Sequence, residues 1–246
     1  MILYDNGFLG QDFCNQTFDW CNGDTEEKYL KSLTKQPKDW YYRNKKITYT
    51  YNSNGHRSVN VNDLNFDNYV LFTGCSHTEG VGLELETTYP YLISKNLNCD
   101  YYNLALSASG IDVLEYNILH WFLQHKKKPK YVFIQWPDHS RFMSVYPGYD
   151  HIIPNGSWCE TDAEKRFFVS GELTGFFNAR KFISLNCITN IIDVPFYTIN
   201  LTSLATYDNN SFSWKKVDTA RDLKHCGIKS HANLAQNLLD HLYKIP

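Results

Sequence analysis

The chain has 246 residues, a net charge of −2 and a pI near 6.5, so it carries no general basic field for nucleic acid or for an anionic membrane surface. No apolar run approaches the roughly 20 residues of a membrane span, and Met1-Ile-Leu-Tyr-Asp-Asn-Gly lacks the basic and apolar regions of a secretory leader; the expectation is a soluble chain, cytoplasmic at synthesis. Seven cysteines, odd in number and without a Cys-x-x-Cys pair, point to reduced thiols and away from a zinc site, and no metal or cofactor is expected.

Residues 1–67 are polar and aromatic with little sustained period, and contain Trp20, Trp40, Tyr41 and Tyr42. They read as an N-terminal arm or lead-in, before a main domain over 68–246. Within the arm, Ile47 to Tyr51 alternates like a half-buried strand, and Asn52-Ser-Asn-Gly55 supplies the chemistry of a reversal.

The stretch Tyr69-Val-Leu-Phe-Thr-Gly-Cys-Ser-His-Thr-Glu-Gly-Val-Gly82 is the centre of the chain. Four apolar residues, Tyr69 to Phe72, are too short for a helix and predict a buried strand. Glycines at 74, 80 and 82 then allow positive φ or close approach, which holds Ser76 at the point where the chain reverses. By itself a Gly-x-Ser turn is equally a plain strand-to-helix turn whose serine caps the helix.

A helix is predicted over Thr87 to Leu97, with Thr88 as N-cap and Pro90 in the first turn. Tyr101 to Leu106 predicts a second strand, ending in the small-residue turn Ser107-Ala-Ser-Gly110. A helix with Ile111, Leu114, Ile118 and Phe122 on one face follows. It ends at His125-Lys-Lys-Lys-Pro-Lys130, a basic run read as favourable charge at a helix C-terminus before a proline stop. Lys130 to Trp136 predicts a third strand.

Residues 137–160 read as an irregular, site-shaping loop. A helix is expected from the capping box Thr161-x-x-Glu164 toward Asn190, and a fourth strand over Ile191 to Leu201, starting late or at an edge because of Pro195. Leu234, Leu238 and Leu242 mark the core face of a last helix from about Ser230 to Tyr243. Strands about 30 residues apart with helices between them are βαβ units, which demand a parallel sheet with right-handed crossovers. The three turns then share its C-terminal edge, where open α/β sheets bind ligands.

Asp222 and His225 stand three residues apart, so in a helical or turn-like segment both project to one side. A carboxylate so placed fixes an imidazole tautomer and stabilises the imidazolium formed on proton uptake. Alone, such a pair is commonly a local surface contact.

Gly74-x-Ser76 after the first strand, Gly110 after the second and Asp222-x-x-His225 before the last helix together resemble the SGNH (GDSL-like) hydrolase family, over roughly residues 68–243. The resemblance implies a flavodoxin-like three-layer α/β/α sandwich, with Ser76 as nucleophile and Asp222 and His225 as its partners. It also implies an oxyanion hole formed by the N–H groups of Ser76 and Gly110. Two positions depart from the family pattern. Cys75 replaces the aspartate before the serine. In the third block Gln135-Trp-Pro-Asp138 replaces Gly-x-Asn-Asp, so Pro137 stands where a side-chain donor belongs; Gln135, His139 or Arg141 would substitute for it only where the loop brings one of them around. His77, Cys75 and His231 are read as decoys: His77 facing elsewhere on the turn, Cys75 packing, His231 on the surface of a helix N-terminus.

The resulting expectation is a serine esterase acting through an acyl-enzyme on a small or carbohydrate ester. Two alternatives stand beside it: an acyltransferase of the same fold, and a non-catalytic binding or structural protein that retains it. The Asn-, Lys- and Tyr-rich composition also resembles bacteriophage-encoded members of the family, a resemblance that adds virion association as an alternative location.

Overall fold

The computed structural model describes residues 1–21, 23–138, 141–145, 152–156, 179, 183–187, 190, 192–201 and 210–244. At the N-terminus, β1 (Ile2–Leu3) pairs antiparallel with β2 (Leu9–Gly10), and β3 (Thr17–Phe18) pairs with β4 (Tyr49–Thr50) on either side of α1 (Glu26–Leu33). Thr25 caps α1, accepting the Lys28 N–H on its hydroxyl, and Glu26 and Glu27 occupy the first turn where the helix dipole favours negative charge. The alternation from Ile47 to Tyr51 is borne out: Ile47, Tyr49 and Tyr51 are buried, while Thr48 and Thr50 are exposed.

The chain then enters the main layers. β5 (Tyr69–Thr73) leads into the short α2 (Ser76–Glu79), α3 (Tyr89–Asn96), β6 (Asp100–Asn103), α4 (Ile111–Gln124) and β7 (Val132–Trp136). β8 (Phe142–Val145) and β9 (Ile152–Asn155) form an antiparallel pair. β10 (Phe196–Asn200), β11 (Ser211–Ser213) and α5 (Ile228–Leu242) complete the described elements.

Five strands form one parallel sheet in the order β11-β10-β7-β5-β6. Counted along the sheet's own strands, this is the order 2-1-3-4-5 of the flavodoxin-like form that the resemblance implies; the βαβ spacing anticipated that the strands run parallel. Period-two alternation splits the central strands between two cores. Tyr69 and Leu71 of β5 face α4, with Leu114, Ile118 and Trp121. Val70 and Phe72 face α3 and α5, with Ile93, Leu234 and Leu238. The sheet is therefore covered on both faces, and the molecule has the three-layer α/β/α form.

The fourth strand starts late, at Phe196, as Pro195 leads one to expect, because a proline cannot donate to the ladder. Other boundaries differ from expectation. β11 is an extra edge strand, too short to show a period of its own. Within 137–160, expected to be irregular, the described residues form the β8–β9 ladder, whose Ile152 exchanges backbone hydrogen bonds with Met1. The helix expected over 161–190 lies largely outside the described residues.

Residues 1–67 are packed into the main domain. Tyr42, Ile47, Tyr49 and Tyr51 share a core with Val81, Leu83 and Ala220. The buried Arg57 guanidinium donates to the carbonyls of Gly80 and Leu83 at 2.7 and 2.8 Å. The chain after Ser76 is thus held from the N-terminal side.

Candidate active site

Ser76 is the first residue of α2, directly after β5, at the C-terminal edge of the sheet. The reversal needs its glycines for different reasons. Gly80 and Gly82 take φ of +83° and +79°, which a side chain disfavours. Gly74 instead makes room for packing: a Cβ there would lie 2.4 Å from Thr78 Oγ1 and 2.9 Å from Gln135.

The His225 and Asp222 side chains come from a tight turn, not a helix. The Asp222 Oδ1 accepts the N–H groups of Lys224 and His225, both at 3.0 Å, and Ala220 N–H donates to His225 O at 3.0 Å. Leu223 is carried at φ +61°, a left-handed conformation that costs a non-glycine residue about 1–2 kcal/mol. The turn's short-range bonds hold it there.

These two segments, 149 positions apart, meet: His225 Nε2 stands 2.7 Å from Ser76 Oγ, and His225 Nδ1 2.5 Å from Asp222 Oδ2. With its proton on Nδ1, donated to Asp222, the imidazole accepts the Ser76 hydroxyl on Nε2. Burial raises the proton affinity of the Asp222 carboxyl, but hydrogen bonds and charge from His225, with the two backbone N–H groups, outweigh it and leave its pKa lowered. Asp222 is therefore an ionised acceptor at neutral pH, and Ser76 is only 6% exposed.

The Ser107–Gly110 turn is tied beside Ser76: Leu106 N–H and Ser109 O–H both donate to Gly74 O, at 3.2 and 3.0 Å. Glu79, fully buried one helical turn after Ser76, accepts the hydroxyls of Ser107 at 2.5 Å and Tyr51 at 2.7 Å. Gly110 caps α4, and a Cβ on it would lie 2.5 Å from Arg141 O. Among the described residues, neither the Ser76 N–H nor the Gly110 N–H is donated to a protein acceptor.

The third block behaves differently from expectation. Gln135 is completely buried, its Oε1 accepts the Cys75 N–H at 3.0 Å, and its Nε2 donates to Trp136 O. It braces the turn that carries Ser76, and both ends of its amide are engaged. His139 lies outside the described residues. Arg141 is at hand, its carbonyl against Gly110 and its charge acting on His77. Pro137 is buried at the end of β7.

Two residues read as bystanders have definite places. His77 packs against His225, ring centroids 4.7 Å apart, and its Nδ1 accepts the Cys226 N–H at 3.2 Å. Burial, with the neighbouring positive charges, keeps it well below the usual histidine pKa. His231 is not on the surface but fully buried, and its Nδ1 accepts the Tyr89 N–H at 3.0 Å. It thereby caps α3 in place of Thr88, whose hydroxyl donates to Leu85 O. Neither place is legible from one-dimensional spacing. Cys75 is buried as expected.

Among the described residues no cluster of three His, Cys, Asp or Glu side chains is placed to hold a metal ion, and no helix is long and apolar enough to cross a membrane. A cleft of about 550 Å³, lined by Asn6, Phe8, Asn54, Asn60, Asp63 and His125, opens near the other end of α4. Its amides are largely bonded to one another and to the backbone, and it plays no part at Ser76.

No protein-family model matches the sequence, and no curated protein matches it. Solved structures that resemble the fold include the acetyl xylan esterase Est2A from the rumen bacterium Butyrivibrio proteoclasticus, at 13% identity and TM-score 0.43, covering 71% of this chain and 63% of that one. The psychrotrophic esterase EstA from Pseudoalteromonas sp. is 13% identical with TM-score 0.45, covering 72% of this chain and 98% of its own. TesA is 12% identical with TM-score 0.46, covering 71% and 97%. Against the first two carbohydrate esterases this chain spans 65% and 63% of their lengths.

Proposed function

We propose that the protein is an SGNH-type serine esterase. The observation that carries this reading is the unbroken Ser76–His225–Asp222 hydrogen-bond chain, assembled at the sheet edge where the resemblance to the SGNH hydrolases puts it. In the proposed reaction Ser76 Oγ attacks the ester carbonyl and passes its proton to His225 Nε2. The N–H groups of Ser76 and Gly110 receive the oxyanion. The alcohol departs with the proton from His225, leaving an acyl-serine. Water then loses a proton to His225 and attacks, and the acid leaves as Ser76 regains its hydrogen.

The near-complete burial of Ser76 favours a short acyl group on a small or carbohydrate ester. Loss of one oxyanion donor costs about 3 kcal/mol, 10²- to 10³-fold in rate, so a slow enzyme is the reading unless Arg141 substitutes for the donor missing at Pro137. That missing donor also supports the second reading, a binding protein that retains the fold. The discriminating experiment is hydrolysis of acetyl and longer-chain esters by wild type, Ser76→Ala and His225→Ala. Hydrolysis above buffer by the wild type alone, falling with acyl length, is the expected result. Equal rates in all three assign the chain to the second reading.

A further inference from the structure

The Asp222 turn is held from the N-terminal segment. Arg221, only 2% exposed, donates from Nε to Asp24 Oδ1 and Oδ2 at 3.1 and 3.0 Å, and from a terminal nitrogen to Asp24 Oδ2 at 2.7 Å and to Asp19 O at 2.9 Å. Its guanidinium lies 4.0 Å from the centre of the Trp20 ring. Asp24, 1% exposed, also accepts the Tyr49 hydroxyl at 2.5 Å, and that hydroxyl accepts the Gly82 N–H at 2.8 Å. The Arg221 N–H donates to Gly82 O at 3.0 Å. One connected set of bonds thus joins the N-terminal segment, Gly82 after Ser76 and the residue next to Asp222.

Gly23 stands beside this clamp. A Cβ on it would lie 3.6 Å from both Asp222 Oδ2 and His225 Cε1, so its backbone runs along the carboxylate–imidazole contact. A buried ion pair is a poor source of stability, since its desolvation offsets most of its attraction. What the fork-like guanidinium does provide is direction: several bonds in one plane fix where Arg221, and so Asp222, must lie.

From these contacts we infer that Asp24 is a positioning residue of the active site, acting through Arg221 to hold Asp222 against His225, with Gly23 covering that contact. The inference rests on the functional reading above. It assigns a task to a segment that sequence patterning makes a mere lead-in.

The test uses the full chain and two readouts: the far-downfield proton resonance of His225 Nδ1–H, which reports the bond to Asp222 without any turnover, and the rate of labelling by a fluorophosphonate. Asp24→Asn removes the charge with little change of shape. Arg221→Lys keeps a buried positive charge opposite Asp24 and removes the fork, so it decides the matter should Asp24→Asn not fold. Loss or broadening of the resonance is expected in both, with labelling slowed about 10- to 100-fold, as misplacement on the ångström scale brings. A folded variant of either kind with wild-type resonance and labelling rate overturns the inference. Should wild type show the resonance but take no probe, the hydrolase reading falls while the resonance still decides the positioning role.

Discussion

Gln135 accepts the Cys75 N–H at 3.0 Å, so the strand that carries the third block braces the turn that carries Ser76. Both partners are buried, and a buried donor left without an acceptor costs about 1–3 kcal/mol. Gln135→Met keeps the volume and removes the acceptor. It is expected to lower stability by about that amount in urea unfolding and to slow probe labelling of Ser76. Wild-type stability and rate in this variant would show that the brace is incidental.

Pro137 offers no donor where the family pattern has an asparagine. Pro137→Asn is expected to raise the labelling and ester-hydrolysis rates about tenfold or more, part of the 10²- to 10³-fold that one oxyanion donor supplies. Steady-state kinetics check this, with the gain in kcat and little change in KM. No gain, in a folded variant, would mean that another group already fills the role, and Arg141→Ala on the same background would then reveal it.

His231 makes stability depend on pH. Burial holds its pKa down at about 3, against an ordinary 6.5, with the charges of His225 and Arg57 adding to the effect against the pull of Asp218; its Nδ1 accepts the Tyr89 N–H. The unfolded chain therefore binds a proton between these values when the folded chain does not, and stability rises with pH there. The contribution is intact above pH 6.5 and is lost progressively as the pH falls toward 3, amounting to about 2 kcal/mol at pH 5. His231→Asn keeps an acceptor for Tyr89 and removes the titration. Unfolding midpoints from pH 7 to 5 are expected to fall less steeply in the variant, and identical slopes would contradict the assignment.

What could be read in advance divides along physical lines. The strand at Tyr69, the stripes on α4 and α5 and the parallel order are local or periodic signals, because each apolar face must meet a layer. The Asp222–His225 pairing was legible for a similar reason, being three residues apart, although the turn that achieves it is closed by the Asp222 cap and a left-handed Leu223 and not by helical spacing. The Asp24–Arg221 pair spans 197 positions, and His231 caps a helix 142 positions away. Contacts of that kind leave no period in the chain. Gln135 reads in the sequence as one of three candidate donors because its side chain carries donor and acceptor alike, whereas only the fold shows that both are already engaged.

The central claim is that Ser76 is a nucleophile activated by His225 and Asp222. Labelling with a fluorophosphonate followed by peptide mass analysis tests it most directly. The expected result is a phosphonyl adduct on Ser76 in the wild type, none in Ser76→Ala, and labelling slowed by orders of magnitude in His225→Ala. A folded wild-type protein that takes no probe, beside a control hydrolase that does, would contradict the account.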